Sequence, residues 1–260
     1  MTLDGTSTLP RLAPHFAVYA SAARGVYELE QNGADRDLEP VEELTALDLV
    51  LGLGLLRSVQ VGVVLPIVLH EEGDDPLDPG GGVRPCGLGS LRTELKWSIR
   101  DFREGIVGVA AKAYATWPTG RDRDLVSPDG PGFGVTGVAE TGFGDFVRLA
   151  VNVGYELVPG EPEIAGVRAD DRLHVGAALR LAPILSDIDF LAPLGLFVEA
   201  AHSTLARDPW DREIESPLRL SFAIKYTGTV FGAAGVTWGI NQGAGAPDIL
   251  GFLAVGATLE

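Results

Sequence analysis

Apolar and polar side chains alternate one by one along this chain, in segment after segment. Between Leu91 and Arg100, one set of positions carries Leu91, Thr93, Leu95, Trp97 and Ile99, and the other carries Arg92, Glu94, Lys96, Ser98 and Arg100. Successive residues of a β-strand point to opposite faces, whereas a helix at 3.6 residues per turn would mix the two sets. The pattern recurs with Val147, Leu149, Val151, Val153, Tyr155 and Leu157 against Arg148, Ala150, Asn152, Gly154 and Glu156. It recurs again over 172–181 and 218–226. Strands are predicted at 15–27, 44–56, 58–70, 88–100, 105–117, 132–141, 144–158, 171–183, 194–205, 216–227, 229–240 and 249–259. Most are longer than the roughly five or six residues of strands in water-soluble sheets and close to a tilted membrane strand.

The connections alternate as well. Tight turns are predicted at Arg57, Asp101 to Glu104, Gly142 to Phe143 and Gly228, and long connections at 28–43, 71–87, 118–131, 159–170, 206–215 and 241–248, with 184–193 intermediate. Short turns on one rim and long loops on the other are the arrangement of outer-membrane barrels, and an even strand count puts both termini on the short-turn, periplasmic rim. The expected fold is all-β: a transmembrane, antiparallel, up-and-down β-barrel of about 12 strands, with 10 or 14 as alternatives. Residues 1–14 are read as a periplasmic N-terminal extension and 15–260 as one barrel domain.

Composition sharpens this picture. Apolar residues make up 46% of the chain, yet apolar runs such as Leu49 to Leu56 fall far short of the roughly 20 residues of a spanning helix. A bilayer protein without spanning helices has to be a closed barrel, because an open sheet edge would leave backbone groups unpaired in hydrocarbon. The net charge of −16 argues against nucleic acid as a partner. The single cysteine, Cys86, has no partner for an internal disulfide, and no Cys/His cluster has metal-ligand spacing, so neither metal nor cofactor is expected. The first ten residues carry no basic head and no apolar stretch, so no signal peptide is read there.

Which face looks outward decides between a soluble barrel and a membrane barrel. The polar set interleaves isolated charges with small residues such as Gly52, Gly54, Gly108, Ala110, Gly176, Ala178, Ala233 and Gly235, which suits a crowded lumen better than a water-facing surface. Trp97, Trp117, Tyr155, Tyr226 and Trp238 fall on the apolar face near strand ends, the position of aromatic girdles at the membrane interfaces. The apolar face is therefore read as outside. By parity the lumen receives Arg92, Glu94, Lys96, Arg100, Lys112, Arg148, Arg172, Arg180, Glu199, Arg219 and Lys225, together with Asp48, Glu140 and Glu156. This set is basic on balance, so the acidity belongs to the loops, and opposite charges are expected to pair into a narrow, ion-paired passage.

The stretch from Gly87 to Trp97 resembles the Gly-x-Gly-Asp-x-x-x-x-x-Lys-aromatic stretch of Gram-negative outer-membrane barrels, with Ser90 in place of Asp. These include the barrel domain of outer-membrane protein A-like proteins and the outer-membrane transporters of aromatic-degradation pathways. Ala115 to Gly120 and Gly245 to Asp248 are similar to segments of the same proteins. The resemblance implies residence in the bacterial outer membrane among lipid and lipopolysaccharide. Such barrels end on an aromatic residue, whereas this chain ends Thr258, Leu259, Glu260. Either the protein continues past Glu260, where a peptidoglycan-binding domain would make peptidoglycan a partner, or this terminal signal is absent.

Candidate chemistry is sparse. His202 and Ser203 are neighbours on one predicted strand and point to opposite faces, so they form no dyad, and no Gly-x-Ser-x-Gly elbow occurs. The glycines at 80–82 and 132–134 lack the Lys-Ser/Thr and helix of a phosphate loop. Acidic clusters at Glu28, Glu30, Asp35, Asp37, Glu39, Glu42 and Glu43, and at Glu71, Glu72, Asp74, Asp75 and Asp78, read as solvated loop charge, with cation bridging to lipopolysaccharide phosphates as the sharper alternative. The expected function is a non-enzymatic cell-envelope module that is also a narrow channel for small solutes. A dedicated transporter of hydrophobic compounds is the alternative, and a lipid hydrolase or acyltransferase stands behind it.

Overall fold

The computed structural model of the chain describes residues 5–29, 38–75, 78–84, 87–120, 130–143, 146–158, 163–164, 167–168, 170–181, 193–210, 215–241, 243 and 245–259. Twelve antiparallel strands make the wall: β1 (Pro14–Leu29), β2 (Leu38–Leu56), β3 (Val59–Asp75), β4 (Leu91–Arg100), β5 (Val107–Trp117) and β6 (Gly132–Phe143), then β7 (Val147–Leu157), β8 (Arg172–Leu181), β9 (Leu194–Leu205), β10 (Leu218–Tyr226), β11 (Val230–Gly239) and β12 (Ile249–Thr258). Each pairs with the next, and β12 returns to β1, with His15 opposite Thr258 and Arg24 opposite Ile249. The sheet is a closed barrel, so its wall strands leave no free edge. Short ladders at 78–84 and 87–88 add to β3, and 163–164 pairs with 167–168.

The two faces separate as the alternation demands. Leu95, Trp97 and Ile99 of β4, Leu149, Val151 and Val153 of β7, and Leu253 and Val255 of β12 are exposed on the outer wall. Their neighbours Lys96, Ser98, Asn152, Phe252 and Ala254 are buried inside. Residues opposite each other in a ladder share a face. Val59, Val61, Val63 and Leu65 lie opposite Trp97, Leu95, Leu51 and Leu49, which puts that side of β3 outside too. A soluble monomer rarely exposes a contiguous apolar patch above roughly a few hundred Å². This apolar belt girdles the whole wall, as hydrocarbon requires.

Three strands outrun the alternation on the long-connection rim. Residues 28–29, 38–43 and 71–75, expected within loops, are instead extensions of β1, β2 and β3. Backbone hydrogen bonding needs no apolar side chains, so the ladder continues into acidic sequence where the period-two signal has stopped. Gly142 and Phe143, expected as a turn, are instead the last residues of β6, because the ladder to Arg148 and Val147 is still intact there.

Candidate channel lumen

The inner wall is built from small residues with large ones laid across them. Tyr114 faces Gly134 across the β5–β6 ladder, Phe231 faces Gly256, and Phe252 faces Gly235, the last two across β11–β12. A Cβ at Gly134 would stand 2.2 Å from Cζ of Tyr114, and Cβ atoms at Gly235 and Gly256 would stand 2.5 Å from the rings of Phe252 and Phe231. The glycines are thus the beds on which inward aromatics lie flat. Reading charge parity alone passes over these rings, and the signal that would find them is an aromatic paired with glycine across adjacent strands on the lumenal parity.

The charged residues fall into two groups along the axis. Toward the long-connection rim, Arg92 stacks over Tyr114 at 3.8 Å from the ring centroid and lies 3.7 Å from Glu94, which is 3.9 Å from Lys112. His174 Nε2 is 2.9 Å from Glu156, and Arg172 lies opposite Glu156 in the β7–β8 ladder. Arg92, Lys112, Tyr114, Glu156 and His174 line a cavity of about 190 Å³ together with Arg219. Toward the short-turn rim, Arg148, Arg180, Lys225 and Glu140 line a second cavity of about 230 Å³ with Phe197 and Thr227. Glu199 and Ser221 fall between the two sets along β9 and β10. Both are buried, and Ser221 is hydrogen-bonded to Thr237 across 2.8 Å. Arg100, at the end of β4 beyond a shift in ladder register, is exposed and joins neither group.

Residues 5–13 run into the short-turn mouth. Thr6 is fully buried, and its N–H and Oγ1 both donate to Glu140 Oε2, at 2.7 and 2.9 Å. Ser7 Oγ donates to Asp101 Oδ1, Lys96 Nζ to the Ser7 carbonyl, and Thr8 Oγ1 to the Arg57 carbonyl, while the Leu9 N–H donates to Gln60 Oε1. The short polar side chains of this strap fit a lumen wall that is itself polar. At the turn beneath it, hydrogen bonds from Arg103 hold the Asp101 carboxyl down at about 2, with the Ser7 hydroxyl adding to the effect against burial.

The five aromatics expected at the membrane interfaces lie on the outer face near the strand ends. Trp97 and Tyr226 lie toward the short-turn rim, and Trp117, Tyr155 and Trp238 toward the other. Trp117 packs edge-on to Phe133, and the Tyr155 hydroxyl donates to Asp171. His202 offers no free base: its Nδ1 meets the Pro217 carbonyl and its Nε2 accepts from the Trp210 indole, while Ser203 is buried on the other face. Glu43, His70 and Glu72 bring one ligand atom each within 4.8 Å of one another on the long-connection rim, but Arg24 Nε already donates to Glu43 at 2.9 Å. Glu30, Asp35, Asp37 and Cys86 lie outside the described residues.

No family model matches the chain, and no curated protein matches it in sequence. Among solved structures, an outer-membrane channel from Pseudomonas putida F1 superposes over the whole of both chains with a TM-score of 0.74 at 12% identity. The monoaromatic hydrocarbon channel CymD matches at 0.51 and 11% identity, over 96% of this chain and 90% of its own. The fold shared with them is that of outer-membrane channels.

Proposed function

We propose that this chain is an outer-membrane channel passing small solutes through a narrow, polar lumen. The observation that carries the reading is the inversion of the two faces. An apolar outer wall encloses buried Lys96, Lys112, Glu140 and Glu199 and two cavities in line along the axis. Burying ions is costly, and a purely structural wall would gain by filling its interior with apolar side chains. The paired charges offer a solute successive partners, and the strap at residues 5–13 restricts the short-turn mouth. Outer-membrane lipid around the belt and lipopolysaccharide at the long-connection rim are the partners this reading implies. His202 and Ser203 form no catalytic dyad, since His202 is engaged by Pro217 and Trp210 and Ser203 faces the other way.

A second reading, passage of hydrophobic compounds, is favoured by the inward rings of Tyr114, Phe197, Phe231 and Phe252 and by the likeness to a monoaromatic hydrocarbon channel. Proteoliposome flux tests both. Swelling or efflux with small ions and amino-acid-sized solutes, above protein-free vesicles, is the expected result. Entry of toluene alone would favour the second reading, and no flux of either kind would overturn the channel proposal.

A further inference from the structure

The cavity nearer the short-turn rim holds three cations and one carboxylate, and that carboxylate is already committed. Glu140 accepts two hydrogen bonds from Thr6 through Oε2, and its Oε1 lies 3.9 Å from Arg148. Arg180 and Lys225 are left to face the cavity. Arg180 lies directly opposite Arg148 in the β7–β8 ladder, an arrangement of like charges that is unfavourable by itself. Arg180 Nε is buried and has no hydrogen-bond partner among the described residues. Two like charges held side by side at the wall of a cavity are costly, and an anion entering that cavity offsets the cost.

The same cavity has an aromatic floor. The Arg180 guanidinium lies 5.8 Å and Lys225 Nζ 5.9 Å from the centroid of Phe197, with Phe231 5.3 Å from Lys225 on the far side. At about 230 Å³ the space is smaller than the ~300–1,000 Å³ typical of drug-sized ligand pockets, so the guest is small. We propose that this cavity is a binding station for a small aromatic carboxylate, its oxygens bridging Arg180 and Lys225 and its ring lying against Phe197. The assignment rests on the channel reading and names a solute class for it.

Calorimetric titration of the detergent-solubilised barrel with benzoate, acetate and benzyl alcohol tests the station without requiring passage. Benzoate is expected to bind at least tenfold more tightly than the other two. Arg180→Gln and Lys225→Met should each weaken it at least tenfold, Phe197→Leu should weaken benzoate more than acetate, and Arg24→Gln on the outer rim should leave it unchanged. Heat-modifiable gel mobility confirms that each variant is folded, and a double variant Arg180→Lys/Lys225→Arg, which keeps both charges, covers the case where a single variant does not fold. Absence of benzoate binding, equal binding of acetate, or benzoate binding that survives loss of both cations would overturn the proposal. Binding without proteoliposome flux would sink the channel reading and leave the station standing, and flux without binding would do the reverse.

Discussion

At the scale of single residues, the lumen depends on glycines that leave room for rings. Gly134→Val would drive a branched side chain into Tyr114, so the ring has to leave its bed and release Arg92 from its stack. Overpacking of this kind costs about 1–3 kcal/mol. A lower urea midpoint in lipid vesicles is the expected outcome, and unchanged stability would refute the packing account. Asp101 makes a second prediction. Its folded pKa of about 2 lies below the ordinary ~3.9, so the hydrogen bonds from Arg103 are worth their full amount above the ordinary value and are lost as the pH falls through about 2. The Arg103 amide shift should therefore titrate with a midpoint near about 2, and a midpoint near ~3.9 would show that the turn is not formed as described. Parity points to inward charges such as Lys96, Lys112, Glu140 and Glu199, and it fails at Arg100, where the ladder register shifts. The beds for the rings could not be read from the sequence, because they require knowing which residue of the next strand lies opposite.

Elements obey two different rules, and only one is written in side-chain pattern. The twelve wall segments were legible because lipid and lumen impose opposite demands on alternate residues. The extensions of β1 to β3 were not, since beyond the hydrocarbon the ladder is held by backbone groups that every residue carries. The outer rule predicts that Val153→Arg, at a position 54% exposed near the middle of β7, destabilises the barrel by about 2–4 kcal/mol in vesicles. Asn152→Ala on the inner parity should cost less, and a reversed order would mean the faces are misassigned. The strap obeys neither rule. Thr6→Val removes the hydroxyl that donates to Glu140 and accepts from the Phe102 N–H. Losing about 1 kcal/mol there should raise the undocked fraction about fivefold. Longer single-channel open times would report it, and unchanged gating would mean that the strap does not limit conduction.

For the whole molecule, charge is divided by location. The chain carries −16, yet its assigned lumenal residues are mostly Arg and Lys, so the acidic excess lies on the rims and connections. A passing ion meets the lumenal set at close range in a confined space, while rim charges more than ~10 Å away are screened at 0.1 M salt. Reversal potentials in a salt gradient are expected to show anion selectivity that strengthens as salt rises, because screening silences the rims first. Cation selectivity at every ionic strength would mean that the acidic rims govern the path. Net charge was available from composition, and the division was available from parity. The two separate cavities were not, because they depend on how far side chains from facing strands reach across the lumen.

The ladder between β1 and β12 joins residues as far apart in sequence as His15 and Thr258, whose side chains meet at 2.9 Å between Nδ1 and Oγ1. Closing it requires a loop that contains nearly the whole chain, and long-range pairings of this sort make folding slow. Until that seam zips, β1 and β12 each present an open edge, so insertion into the bilayer and closure have to occur together. Once shut, the same seam can open in hydrocarbon only by exposing a full row of unpaired amides. The finished barrel should therefore persist by its unfolding barrier, and its survival in detergent should be measured as a half-life and not as an equilibrium midpoint.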